Sequence, residues 1–249
     1  MADQRVVGRV GKASGPRVSI RYDDGSVREV PFERLRLRDF VGAVPWREFR
    51  SVHGQKHYPG KYASATSGKV VYESRLELAR LMLADMDPTV KAIFAQPCLL
   101  TSQVEGKARR HVPDYLLVFE TGTARVVNVK PEDRLADPKI VEALRWPGAL
   151  VERHGWEYEI WSGADRIVLE NVRFLSAYRR PGVVLPEEVE AAWRCVQDGD
   201  QLRVAEHRLA AGRPGHDARP ALLALVWQGR LVTDLAQPLS GDWVLRRAA

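Results

Sequence analysis

The sequence predicts a mixed α/β protein, and three observations carry that reading. The opening has the two-residue alternation of strands. The middle interleaves a helix, three strand-like runs, a second helix, a further strand and a closing helix. The last quarter reads as three helices followed by two short strand-like pieces. A helix, mixed strands, a helix and a strand within one stretch are the pattern of an α/β core. The flanking parts read as a small β-rich segment and a winged-helix-like module.

The β-rich segment spans roughly residues 1–50. Val18, Ile20 and Tyr22 alternate with Arg17, Ser19 and Arg21, as in a strand with one buried face. Asp24-Gly25 supplies the hairpin turn, because glycine accepts positive φ. The returning piece, Val27 to Val30, alternates less cleanly. A small β-meander is expected, and covering the next part of the chain is its simplest role.

The second part spans residues 51–180. His57 to Tyr62 reads as a loop and Lys69 to Tyr72 as a short extended lead-in. A helix is expected from about Glu73 to Met86, with Leu76, Ala79, Leu83 and Met86 facing a core. Asp87-Pro88 ends it, since the residue before proline avoids the α region. Strands are expected at Val90–Phe94, Tyr115–Phe119 and Arg125–Val129. Asp137-Pro138 opens another helix, which Pro147-Gly148 is expected to kink or interrupt. Tyr158 to Trp161 reads as a strand and Glu170 to Tyr178 as a closing helix.

Arg179-Arg180-Pro181-Gly182 reads as a linker across which few contacts should run. Residues 186–249 then form the winged-helix-like part. Its helices are expected at Pro186 to Val196, Gln201 to Ala211 and Ala218 to Gln228, with the loop Gly212 to Gly215 before the third. The wing is expected from Arg230–Thr233 and Trp243–Leu245. Such modules bind DNA or proteins.

The 249 residues suit one moderately large domain with an appendage, or two to three small units. A net charge of +6 favours a polyanionic partner, though a merely basic protein would show the same. The two cysteines, Cys98 and Cys195, have no zinc-site spacing and fit a reducing interior such as cytoplasm. No long apolar run follows Met1 to Arg5, so no signal peptide is expected, and no apolar run is long enough to span a membrane. The six histidines form no HExxH, no nucleophile elbow surrounds a serine, and no Walker pattern occurs. The tryptophans are scattered, which suits packing better than base stacking.

One ordered set of residues carries chemistry. Glu73 and Glu77 stand four apart on the first predicted helix, hence on one face. Asp114 opens a predicted strand inside Pro113-Asp114-Tyr115. Asn128 and Lys130 stand two apart near the end of the next, so both project to one side. Magnesium prefers hard oxygen ligands and takes only one or two carboxylates. Glu77 and Asp114 supply two, with Glu73 the other candidate, and Lys130 brings an ammonium to the phosphate or the attacking water. Solvated helix carboxylates, a Pro-Asp turn and a surface lysine are the bland readings of each residue taken alone. Their order and spacing make the layout of a PD-(D/E)xK metal-dependent phosphodiesterase.

The stretch from Tyr58 to Arg180 resembles the TnsA-type endonuclease subunit of heteromeric transposases. The resemblance rests on Ser64-Ala65-Thr66-Ser67-Gly68-Lys69-Val70, Tyr72-Glu73-Ser74-Arg75-Leu76-Glu77, Asp87-Pro88 and Gln96-Pro97. It continues through Pro113-Asp114-Tyr115-Leu116, Asn128-Val129-Lys130-Pro131, and Asn171-Val172-Arg173-Phe174-Leu175 before Tyr178-Arg179. It implies a restriction-endonuclease-like fold and cutting of the 5′ strand at double-stranded transposon ends with Mg2+, for which Mn2+ would substitute. The catalytic glutamate, aspartate and lysine of the family match Glu77, Asp114 and Lys130. Asn128 stands where many PD-(D/E)xK nucleases have an acid and the TnsA type has glutamine; it is one methylene shorter, so metal contact by its side chain is in question. The implied partners are a DDE transposase subunit (TnsB-like) and an AAA+ regulator (TnsC-like), in a bacterial cytoplasm at the nucleoid. A stand-alone restriction or repair nuclease and a catalytically silent DNA-binding scaffold are the rival readings.

Overall fold

The computed structural model describes residues 15–47, 59–180, 182–211 and 217–248. Met1 to Arg5, His57, Tyr58, Pro181 and the 212–215 loop, on which expectations were placed, lie outside these. The chain forms a mixed α/β structure with several antiparallel sheets.

The first hairpin is β1 (Arg17–Tyr22) and β2 (Val27–Pro31), turned at Gly25 with φ of 81°. A two-residue β3 (Ala43–Val44) adds to the end of β1. Next come β4 (Gly60–Ser64) and β5 (Gly68–Tyr72), a second hairpin where the sequence suggested a loop and a short lead-in. Its turn is held by Asp85, which accepts the Tyr62 hydroxyl at 3.0 Å, the Ser64 hydroxyl, and the amides of Ala65 and Thr66, each at 3.1 Å.

Helix α1 (Arg75–Met86) follows. It begins two residues later than expected because Ser74 is extended and caps it, accepting the Glu77 amide at 3.1 Å. The strands β6 (Val90–Ala95), β7 (Leu99–Val104), β8 (Lys107–His111), β9 (Tyr115–Phe119) and β10 (Ala124–Val129) come next. Helix α2 (Glu132–Leu135) is one turn. Helix α3 (Pro138–Arg153) crosses to β11 (Glu157–Trp161), which lies parallel to β10. Pro147 does not interrupt α3. The buried Pro147 and Gly148 face the sheet, and a Cβ on Gly148 would sit 2.8 Å from the Tyr158 ring, so glycine there admits the tyrosine.

Helix α4 (Arg166–Leu175) leads into a 3-10 turn, Ser176–Arg179. The last part holds α5 (Pro186–Cys195), α6 (Leu202–Ala210), α7 (Arg219–Trp227) and a short ladder of β12 (Leu231–Val232) with β13 (Arg246–Arg247). The three helices stand where the periodicity put them, and the second strand of the ladder falls just after the expected Trp243–Leu245. Every residue of α7 from Ala221 to Trp227 is buried.

One sheet has the order β11-β10-β9-β6; another runs β2-β1-β7-β8. β1 pairs with β7 through Ser19 and Leu99, so the N-terminal hairpin shares a sheet with the central part. One core lies between these sheets and α3: Val18, Ile20, Leu100, Leu116, Val126 and Val151. The other continues from Leu81, Val127, Val172 and Leu175 into Val189, Leu202, Leu222 and Trp243. The Arg179 to Gly182 stretch is therefore not a boundary that contacts avoid. Asn171 on α4 donates to the carbonyls of Leu235 and Gln237 at 2.9 and 2.8 Å. No helix among the described residues is long and apolar enough to cross a membrane.

Candidate active site

Three elements converge: the N-terminus of α1, the start of β9 and the end of β10. β9 and β10 are antiparallel, which places the residue before β9 beside the last residues of β10. The Asp114 amide donates to the Val127 carbonyl at 3.1 Å, and Asp114 Oδ2 accepts the Val129 amide at 2.6 Å. That bond fixes the carboxylate and leaves Oδ1. Lys130 Nζ stands 3.8 Å from Oδ2 and donates to the Val129 carbonyl at 3.0 Å. The Lys130 amide donates to the Trp161 carbonyl at 2.9 Å, so β11 anchors its backbone.

α1 is joined to this corner by Tyr115, whose hydroxyl donates to the Glu77 carbonyl at 3.3 Å. Glu77 stands at the third helical position. Its carboxylate accepts the Ser74 hydroxyl at 3.0 Å and the Glu73 amide at 2.8 Å. This is the Ser-x-x-Glu capping arrangement, and it explains why the pair occurs here. A solvated cap carboxylate would titrate normally. Burial instead pushes Glu77 up to about 7; the nearby Asp114 charge adds to the rise, against the Glu73 amide and the Ser74 hydroxyl. Burial also raises Asp114, while Lys130, the Val129 amide and Arg47 pull it down. Tyr115 between them is raised well above its ordinary range by burial and by the Glu77 and Asp114 charges.

Glu73 departs from the helical-face expectation, because it precedes the Ser74 cap. It pairs with Arg47 at 3.1 Å. Arg47 comes from the N-terminal segment, where its amide donates to Gln96 Oε1 at 3.2 Å. Gln96 is buried at φ of 45°, and its carbonyl accepts the Trp46 amide at 2.9 Å. The Gln96-Pro97 motif thus holds the segment that delivers a guanidinium to the site.

Asn128, 1% exposed, is fully engaged. Its Oδ1 lies 2.7 Å from His111 Nε2, and its Nδ2 donates to the Tyr158 hydroxyl at 2.9 Å, which in turn donates to the Leu144 carbonyl at 2.9 Å. An amide oxygen only accepts, so Nε2 carries the hydrogen. Burial holds the imidazole neutral, down to about 4, with the Asn128 bond opposing. The Asn128 side chain is therefore a buried strut beneath the site rather than a free ligand.

Sequence reasoning missed Arg47, His111, Tyr115 and Tyr158. His111 lies three residues before Asp114, a proximity that could have drawn attention to it. Tyr115 directly follows Asp114, and only its bond to the Glu77 carbonyl was beyond the sequence; Arg47 and Tyr158 reach the corner only through tertiary packing.

A half-buried Glu77 and a buried Asp114, both raised by burial, form a hard-oxygen donor set that a small divalent cation would relieve. Among the described residues no three His, Cys, Asp or Glu side chains gather into a metal cage. The donor set thus fits magnesium or manganese, which fill their remaining positions with water and substrate, and does not fit a zinc-type cage.

No protein-family model matches the chain, and no curated protein matches it.

Proposed function

We propose that the protein is a Mg2+-dependent DNA endonuclease with a restriction-endonuclease-like core, acting as the 5′-strand-cutting subunit of a heteromeric transposase. The observation that carries the enzymatic reading is the half-buried Glu77 beside the buried Asp114, with Lys130 Nζ 3.8 Å from Asp114. Holding a half-buried acid against a buried one is costly without a function that uses their charge.

In this reading Glu77 and Asp114 hold the cation. When bound, magnesium would supply Lewis acidity at the phosphate and a water acidified enough to attack. The Val129 amide holds Asp114 in place and Ser74 holds Glu77, so neither carboxylate has to reorganise. Lys130 keeps one ammonium at the carboxylates, where it would meet the scissile phosphate or orient the attacking water. Asn128, locked by His111 and Tyr158, supports β10 from beneath.

The transposase assignment rests on the motif resemblance. With it come duplex transposon ends, a TnsB-like DDE subunit and a TnsC-like AAA+ regulator as partners. The buried α7 is unsuited to lying in a DNA groove. The winged-helix-like part is better suited to docking a protein through its outer surface, where Val204 and Val244 are exposed beside the Gln201 to Val244 bridge.

The test is nicking of supercoiled plasmid and of labelled transposon-end duplex by purified protein, with and without Mg2+, alone and with the partner proteins. Metal-dependent cutting that Asp114→Asn abolishes is expected. Absence of cutting under every combination would overturn the reading.

A further inference from the structure

β8 was not foreseen from its composition, Lys-Ala-Arg-Arg-His, and it forms the edge of its sheet. Lys107, Ala108, Arg109 and Arg110 are all exposed. Lys107, Arg109 and Arg110 form no ion pair among the described residues. Several arginines elsewhere do pair: Arg17 with Glu29, Arg125 with Glu157, Arg203 with Asp242, Arg219 with Glu206 and Arg230 with Glu190. The neighbouring strand offers Val104, Ser102 and Thr101 opposite the three cations, and no carboxylate. Three uncompensated positive charges on one five-residue strand are thus a local excess.

Their direction matters. Alternate residues of a strand share a face, about 6.8 Å apart. Lys107, Arg109 and His111 therefore form one row, and Arg110 projects from the opposite face. The row ends at His111, which is bonded to Asn128 beneath the site, and Asp114 follows three residues later. The hairpin tip, Glu105-Gly106, lies at the far end with φ of 51° and 73°.

We infer that the β8 edge is a phosphate-backbone track, on which Lys107 and Arg109 from one face and Arg110 from the other hold duplex DNA lying along the edge, so that a phosphate reaches Glu77, Asp114 and Lys130. The partner rests on the endonuclease reading; the surface rests on the charge excess and its continuity with the carboxylate corner. Phosphate contacts position the duplex without reading sequence, so the track contributes affinity and register. Basic side chains on an edge strand also prevent edge-to-edge pairing. That role alone leaves DNA affinity unchanged when the charges are removed.

The experiment compares wild type with Lys107→Ala/Arg109→Ala/Arg110→Ala on random-sequence duplex, by binding across a salt series without divalent metal. Loss of three phosphate contacts should weaken binding about 10- to 100-fold near 0.1 M salt and flatten the log–log salt slope by about 2 to 3. A Lys107→Arg/Arg109→Lys/Arg110→Lys variant should keep both, separating charge from folding. Unchanged affinity and slope in the alanine variant would overturn the track while leaving the endonuclease reading intact. Lost affinity in a protein that never cuts would uphold the track as a polyanion surface and remove the endonuclease reading. A wild-type protein that does not bind duplex at all would overturn both.

Discussion

Lys130 Nζ lies 3.8 Å from Asp114 Oδ2, and the same oxygen accepts the Val129 amide at 2.6 Å. The carboxylate is thus gripped by the backbone of the strand that also delivers the lysine. The two residues share one local geometry, so the pairing of β9 and β10 keeps the lysine backbone beside the acid.

Asp114→Asn should remove cleavage, by at least about 100-fold, without loss of stability. Burial raises the Asp114 pKa, so ionised Asp114 is a net cost to the metal-free fold. Asparagine keeps an oxygen for the Val129 amide. The expected melting temperature is equal to wild type or higher, with single-turnover cutting lost. A lower melting temperature with retained cutting would return Asp114 to a purely structural role.

Glu77 should dominate the pH behaviour. Its folded pKa of about 7 exceeds its ordinary 4.5. A raised acid gives the folded state extra bound protons between these values, so its contribution is fully present below about 4.5 and is lost as pH rises through about 7. The metal-free melting temperature of Glu77→Gln should therefore gain on wild type from pH 5 to 7.5. Cleavage should rise with pH over the same range, with a midpoint that moves lower as Mg2+ increases, because the cation favours the ionised form. Glu73→Gln should cost less activity, since Glu73 turns to Arg47. If the two variants reverse in rate, Glu73 is the working carboxylate.

The parts of this fold that were legible share a reason. β9 and β10 are apolar runs that announce themselves locally; α1 is legible as a helix, but of the expected core face only Ala79 is buried, Leu76, Leu83 and Met86 are partly buried, and Leu81, Met82 and Ala84 enter the core because the helix is packed on more than one side. Asp114 and Lys130 sit at the ends of such runs, where position follows from the element. β7 and β8 were illegible because Thr101 to Val104 and Lys107 to His111 carry polar and charged side chains on an overhanging hairpin. Pairing, not hydrophobic period, makes them strands. The surroundings of Asn128 were illegible for another reason. His111 and Tyr158 lie 17 and 30 residues away in sequence, and only the packed sheet and α3 bring them together. The Ser64 to Val70 motif is visible in the sequence, but its clamp by Asp85 depends on where the end of α1 falls.

Asn128→Asp, which would restore the acid common in PD-(D/E)xK nucleases, should destabilise this protein without strengthening metal binding. Aspartate lacks the Nδ2 donor that Tyr158 receives, and places a charge where the side chain is 1% exposed. Losing a buried donor of this kind costs about 1–3 kcal/mol. The new charge should draw a proton onto His111, which is held neutral in the wild type. Thermal melts and NMR titration of His111 check this. A tighter Mg2+ affinity with unchanged melting would show the side chain free to reach the metal.

Truncation after Tyr178 tests how far residues 186–249 stand alone. An isolated module would leave the catalytic part folded. The structure instead runs one core from Leu81 and Val172 into Leu222 and Trp243, and α7 is buried along its length. Removing residues 179–249 would expose the inner faces of α4 and the 3-10 turn after it. It would also strip Asn171 of both carbonyl partners, Leu235 and Gln237. Burial of a single large aliphatic side chain contributes about 1.5–3 kcal/mol, and several are lost here. The truncated chain should therefore melt far below the full chain or fail to fold cooperatively, seen by circular dichroism and by exposure of dye-binding apolar surface. Asn171→Leu in the full chain isolates the polar part of the joint. It should cost about 2 kcal/mol, from two carbonyls left without their donor, while cutting per folded molecule stays near wild type. A truncated chain that melts like the full one would show that the shared core contributes little and that the two parts fold apart.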